Sequence, residues 1–255
     1  MRFTLLAWPA PRRPIQTPVL TRRWRHADRF RDDFADWVKT MLVSTAGLLC
    51  PAAGHAAGGH HAVDDASILD PGQCQVETWL EQGRQHQLQH AGPACHLLGL
   101  ELGLNLDRSA TKGEPVLRNA GPQIKWVQEL QPGLSWGLVW SATWQNPSPG
   151  FAGQALLLPL SWSPREDLTL HFNAGRDFRR RAADLSRYGM ALEWQPTSKW
   201  QGLIEHWDDG LRAHHRFGVR HLLSETLSVD VSRAQPRGAA HEAWWSLGLN
   251  WAFSR

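Results

Sequence analysis

Eleven polar or charged residues recur at alternate positions of otherwise apolar stretches: Glu101, Asn105, Lys125, Glu129, His171, Asn173, Glu193, Gln195, Arg216, Arg220 and Asp230. In a strand, alternate side chains share one face, so each of these groups faces away from its apolar neighbours. Carboxylates, guanidinium groups, an ammonium and an imidazole gathered on one face can do two things. Dry, they persist only as a paired network; wet, they line a passage for solutes. The mixed signs fit either. Hydrolysis would need a Ser or carboxylate beside a His. His171, His206, His221 and His241 are candidates and Ser is abundant, yet no spacing singles out a nucleophile, so no catalytic residue and no cofactor is assigned.

Other chemistry-bearing groups lie outside those stretches. His60-His61-Ala-Val-Asp64-Asp65 offers imidazoles and carboxylates suited to a divalent metal, although flexible His/Asp tails are common without one. His214-His215 is weaker, because strand neighbours point to opposite faces. Arg176, Arg179, Arg180, Arg181 and Arg187 outweigh Asp177 and Asp184, making 176–187 a basic loop that could fork onto phosphates or simply be solvated.

The elements that must position these groups read as strands. Leu98 to Asp107, Leu134 to Trp144, Leu168 to Gly175, Tyr188 to Gln195 and Leu227 to Ser232 alternate cleanly, and Leu156 to Trp162 less cleanly. The end of the chain repeats the pattern, with Trp245, Leu247, Leu249, Trp251 and Phe253 opposing Ser246, Gly248, Asn250 and Ala252. Further strands are expected at about 74–82, 85–91, 123–130, 199–207 and 213–222, which makes roughly twelve. Short links near 131–133, 163–166, 196–198 and 224–225 alternate with longer ones at 108–122, 145–152, 176–187, 208–212 and 234–242. One end of the array is thus short-looped and the other long-looped, as in barrels that cross an outer membrane.

Bulk properties agree. Mean hydropathy is −0.41, and no run of about 18 apolar residues offers a transmembrane helix. Alternating strands of a membrane barrel escape that test. Fifteen Trp against one Tyr suits a membrane–water interface. Trp136 and Trp144, like Trp245 and Phe253, sit eight residues apart on one face. Tilted by ~40°, eight residues rise roughly 20 Å, near the ~25 Å between two aromatic girdles. Tyr188 with Trp194, and Trp200 with Trp207, are read as bracketing their strands in the same way. The net charge of +3 is modest, and no nucleic-acid partner is expected.

Residues 1–56 are read as a basic leader and signal peptide, with Lys39, the apolar stretch after Met41 and the small-x-small end at Gly54-His55-Ala56. Residues 57–73 read as a flexible, His/Asp-rich lead-in, and 74–253 as the barrel. In an exported chain the remaining pair, Cys74 and Cys95, favours a disulfide.

The ending Ser246-x-Gly248-x-x-Trp251-x-Phe253 resembles the carboxy-terminal assembly signal of bacterial outer-membrane β-barrel proteins, with Ser254 and Arg255 beyond it. The resemblance implies an all-β, up-and-down antiparallel transmembrane barrel in the outer membrane of a Gram-negative bacterium. It also implies recognition by the barrel-assembly machinery and pairing of the last strand with the first. Outer-membrane lipids and lipopolysaccharide become the expected partners, with the basic loop facing the latter. Cys74 and Cys95 would start the first and third strands, ~10 Å apart, so a bond would require bending of the ends. The function expected is a small, porin-like pore or a surface-embedded structural or binding protein. A lipid hydrolase, and a soluble periplasmic Trp-rich binding protein, are the alternatives.

Overall fold

In a computed structural model, described over residues 61–147, 150–238 and 242–255, the alternating stretches close into one antiparallel barrel. Its strands are β1 (Gln73–Gln82), β2 (His86–Leu97), β3 (Leu100–Thr111), β4 (Leu117–Gln131), β5 (Leu134–Asn146) and β6 (Gly150–Arg165). They continue with β7 (Leu168–Arg179), β8 (Leu185–Thr197), β9 (Trp200–Asp208), β10 (Ala213–Leu222), β11 (Leu227–Pro236) and β12 (Trp244–Ser254). Every strand pairs with its sequence neighbours, and β12 closes on β1 with Trp251 opposite Val76 and Phe253 opposite Cys74. The expectation of an up-and-down barrel of about twelve strands holds. Residues 1–56, His60 and His241 lie outside the described residues.

Both ends of the barrel segment open onto one rim, called here the turn rim. Four of its connections are two-residue turns: Leu98-Gly99, Pro132-Gly133, Glu166-Asp167 and Ser198-Lys199. The opposite, loop rim is less extended than the sequence suggested. Strands β3, β4, β6, β7 and β8 run well into the stretches read as long loops, leaving 112–116 and 180–184 as connections. Polar residues near the rims alternate weakly, yet their backbone groups still gain by continuing the ladder.

The outer surface is apolar by the sequence logic. Leu102, Leu104, Leu106, Ile204, Phe217, Val231 and Leu247 are all exposed. Trp162, Trp194, Trp200 and Trp251 ring the turn rim, while Trp144, Tyr188 and Trp245 stand toward the loop rim. Trp207 does not join them. Seven residues from Trp200, it has the opposite parity and faces inward, stacked on His214 at 4.7 Å between centroids. His206 and His221, by contrast, face out of the lumen, against His215 and Trp200.

Cys95 also departs from expectation. It lies in β2 directly opposite Cys74, not at the start of a third strand, and the two form a disulfide with a Cα separation of 4.0 Å. β2 continues through Pro93 to Leu97 and reverses at Leu98 (φ 54°) and Gly99 (φ 79°). Both central residues of this hairpin are left-handed, as the strand twist favours. No bending of the ends is needed.

Candidate functional site

The polar groups singled out in the sequence converge on the lumen, but not around an open passage. Residues 61–72, expected to be flexible, lie inside it, reaching from the turn rim at Glu101 to the level of Gly189 on β8. Val63, Asp65, Ala66 and Leu69 are buried. Strand alternation could not foretell this, because the segment has no regular structure of its own and is held by side chains far along the chain.

The holding contacts come from every strand between β2 and β9. The Leu69 carbonyl accepts from His96 Nδ1 on β2, and the Leu69 N–H donates to Glu101 Oε2 on β3 at 3.1 Å. Lys125 Nζ on β4 meets Asp64 Oδ1 at 2.8 Å and Asp65 Oδ1 at 2.5 Å. Ser135 Oγ on β5 donates to the Ala66 carbonyl at 2.6 Å, and the Ala66 N–H donates to Ser161 Oγ on β6 at 2.7 Å. The Asn173 amide on β7 takes both the N–H and the C=O of Asp64, at 2.6 and 2.8 Å. His61 Nδ1 lies 3.8 Å from Glu193 on β8, and the Val63 N–H donates to Glu205 on β9. Backbone groups in a dry lumen need such partners, since each one left unpaired costs about 1–3 kcal/mol.

An apolar contact fixes the depth of the segment. Val63 packs with Ala191 and Leu203, backed by Trp207. Pro159 and Val139 are also buried. Pro159 and Leu203 blur the alternation of β6 and β9, and the lead-in covers Ala191 and Leu203 through Val63.

On the remaining wall the strands pair with one another. Arg216 on β10 reaches Glu81 on β1 at 3.3 Å and Glu205 on β9 at 3.2 Å, with its guanidinium 4.9 Å from the Trp207 ring. Arg220 holds Asp230 at 2.5 Å and Gln201 at 3.3 Å, and Gln201 donates to Glu193 at 2.7 Å. The space left beside His61, Leu203, Arg220 and Asp230 is about 10 Å³, room for about one water.

Electrostatics tie the lead-in to the wall. Burial alone would raise the carboxyl of Asp65, but the Lys125 ammonium, His171 and hydrogen bonds from Lys125 and Ser67 outweigh it and lower the pKa to about 2. Asp65 is therefore anionic throughout the physiological range, the form that holds Lys125.

Of the expected lumen residues, Glu101, Lys125, His171, Asn173, Glu193, Arg216, Arg220 and Asp230 are buried in this network. Asn105 is half-buried and bonds Gln123 at 3.2 Å, while Glu129 is exposed at the turn rim. Reading the sequence missed Glu81, Ser161 and Glu205. Glu205 had a signal: a carboxylate between Leu203 and Trp207 on one face needs a partner once that face is buried.

Ser161, His171 and Glu193 form a Ser–His–carboxylate chain, with Ser161 Oγ 2.7 Å from His171 Nδ1 and His171 Nε2 3.5 Å from Glu193. It faces the lumen, away from lipid, and the Ala66 N–H occupies the Ser161 oxygen. Its geometry is that of a brace for the lead-in. The metal reading meets a similar arrangement. Both Asp64 and Asp65 are spent on Lys125, and no cluster of three or more metal-ligating side chains occurs among the described residues. Likewise the basic segment satisfies much of its own charge, through Arg176–Asp184 at 3.3 Å and Arg187–Asp177 at 3.0 Å.

Comparison with known proteins supports the fold. The chain is similar to KdgM porin in complex with disordered oligogalacturonate, with a TM-score of 0.59 and 10% identity over 70% of this chain and 99% of that one. It is also similar to NanC porin, with a TM-score of 0.55 and 10% identity over 70% and 98% of the two chains. No curated protein matches it. The profile of one family, described as "Uncharacterised conserved protein UCP029691", matches residues 44–253. The chain belongs to that family, and its twelve-stranded closed barrel is that of the bacterial outer-membrane β-barrel class.

Proposed function

We propose that the protein is an outer-membrane barrel whose small pore is closed from the turn rim by its own lead-in, residues 61–72. The turn rim then faces the periplasm and the loop rim the exterior, following the usual asymmetry of such barrels. The carrying observation is the bonding of that segment to inward side chains of eight consecutive strands, β2 to β9. Twelve strands enclose a lumen between the filled interior of eight and the open channel of sixteen. A short peptide is therefore enough to stop it. The porin likeness favours a pore beneath the plug rather than a solid structural post.

Any solute passing an opened lumen would meet both signs of charge, with Glu77, Glu81, Glu101, Glu193, Glu205 and Asp230 facing Lys125, Arg216 and Arg220. That balance does not favour a purely anionic cargo. Planar-bilayer recording tests closure: the mature protein is expected to stay silent, and a variant lacking residues 61–70 to conduct. Steady conductance by the intact protein would overturn the reading. Heat-modifiable migration in gels shows that each variant is folded.

A further inference from the structure

A second polar arrangement lies on the outer face, near the loop rim. Gln89, Arg108, Arg118 and Asn146 are consecutive cross-strand partners on β2, β3, β4 and β5, forming one polar row. The neighbouring row, two residues toward the membrane centre, is Ala91, Leu106, Ala120 and Trp144. Leu106 and Trp144 are exposed, so both rows share the lipid-facing parity. The two alanines leave a groove of about 540 Å³ between them and the Trp144 ring.

Arg108 and Arg118 stand directly opposite one another, a like-charge arrangement that disfavours strand pairing. Among the described residues no carboxylate comes within 4.0 Å of either guanidinium, whereas Arg165, Arg176 and Arg187 each have an aspartate. Asp107, next to Arg108, points inward onto His90 at 2.6 Å. An anion between the two forks would relieve the repulsion and accept bidentate hydrogen bonds. The row lies ~7 Å beyond Trp144 along the strand, which is the headgroup level if Trp144 marks the aromatic girdle.

We propose that this face binds a phosphorylated, acylated lipid of the outer leaflet. Its phosphate sits between Arg108 and Arg118, and one acyl chain lies in the groove over Ala91 and Ala120, against Trp144. The proposal rests on outer-membrane residence with the loop rim outward, but not on closure of the pore.

The test uses the full mature protein refolded in detergent, with diphosphoryl lipid A as the probe and its dephosphorylated form as control, read by native mass spectrometry. Wild-type protein is expected to retain the diphosphoryl lipid. The Arg108→Gln/Arg118→Gln variant should bind it about tenfold or more weakly. Ala120→Leu, which fills the groove without changing charge, should weaken it too. Equal retention by the double arginine variant, equal binding of the dephosphorylated lipid, or no binding by the wild type would each overturn the proposal. Heat-modifiable migration confirms folding, and conductance of the same preparations reports closure independently.

Discussion

The two walls of the lumen neutralise their buried charges in different ways. From β10 round to β1, opposite charges on the barrel itself meet, as in Arg220 with Asp230 and Arg216 with Glu81. From β2 to β9 some groups also meet on the barrel, such as His171 with Glu193, but Glu101, Lys125, Asn173 and Glu205 all bond a segment that is not part of it. Lys125 has its two aspartates only because 61–72 enters. One set of contacts therefore holds the wall and the other holds the plug. A self-paired wall keeps its shape without the lead-in, whereas the other wall is left with unpaired groups that water must then solvate.

Removing one cation from each wall should separate their roles most strongly. Lys125→Met strands the buried Asp65, a change expected to cost about 3–5 kcal/mol of plug binding and to give open-channel events in planar bilayers. Arg220→Met strands Asp230 at a similar cost to the barrel, read by urea unfolding in lipid vesicles, but should leave the channel closed. Opening by both variants alike would erase the distinction.

Ser161→Ala is a smaller cut. It removes the acceptor of the Ala66 N–H and the partner of His171, and should loosen the plug by about 1–3 kcal/mol, seen as brief openings. The same variant probes the Ser–His–Glu chain. Esterase activity that vanished with it would favour the hydrolase alternative.

The pH dependence follows from Asp65. Its pKa in the folded lumen, about 2, lies below the ~3.9 of a free aspartate, so its charge stabilises closure. That contribution is complete above about pH 4 and is lost as pH falls through about 2. Conductance should accordingly remain silent from neutral pH down to about 4 and rise only below it. Opening near pH 6 would point to a histidine instead.

The smallest effect lies at the turn rim, away from either wall. Leu98 holds φ 54° while exposed, a conformation that Asn tolerates better than Leu. Leu98→Asn should stabilise the barrel by about 1 kcal/mol in urea unfolding and leave conductance unchanged.

The strands and their inward faces were legible because a period of two survives wherever one face meets lipid and the other does not. Leu102, Leu104 and Leu106 against Glu101, Gly103 and Asn105 show it plainly. The same signal faded where Leu203 and Pro159 turn inward, and those breaks mark where the barrel is filled rather than wet. Cys95 was misplaced because His90 to Leu97 lacks the period, although its backbone continues β2. The lead-in was illegible for a different reason. Its order rests on long-range partners such as Glu101, Lys125 and Glu205, which nothing within 61–72 announces. The arginine pair Arg108 and Arg118 was hidden likewise, since only register sets them side by side.

Whether residues 61–72 are bound within the lumen is read directly by amide hydrogen exchange. The Val63, Ala66 and Leu69 N–H groups each donate to a buried side chain. In the refolded protein, these amides should exchange as slowly as those of neighbouring strands, and Lys125→Met should speed them. Exchange within seconds in the wild type, at the rate of a free tail, would mean that the segment is not held in the lumen.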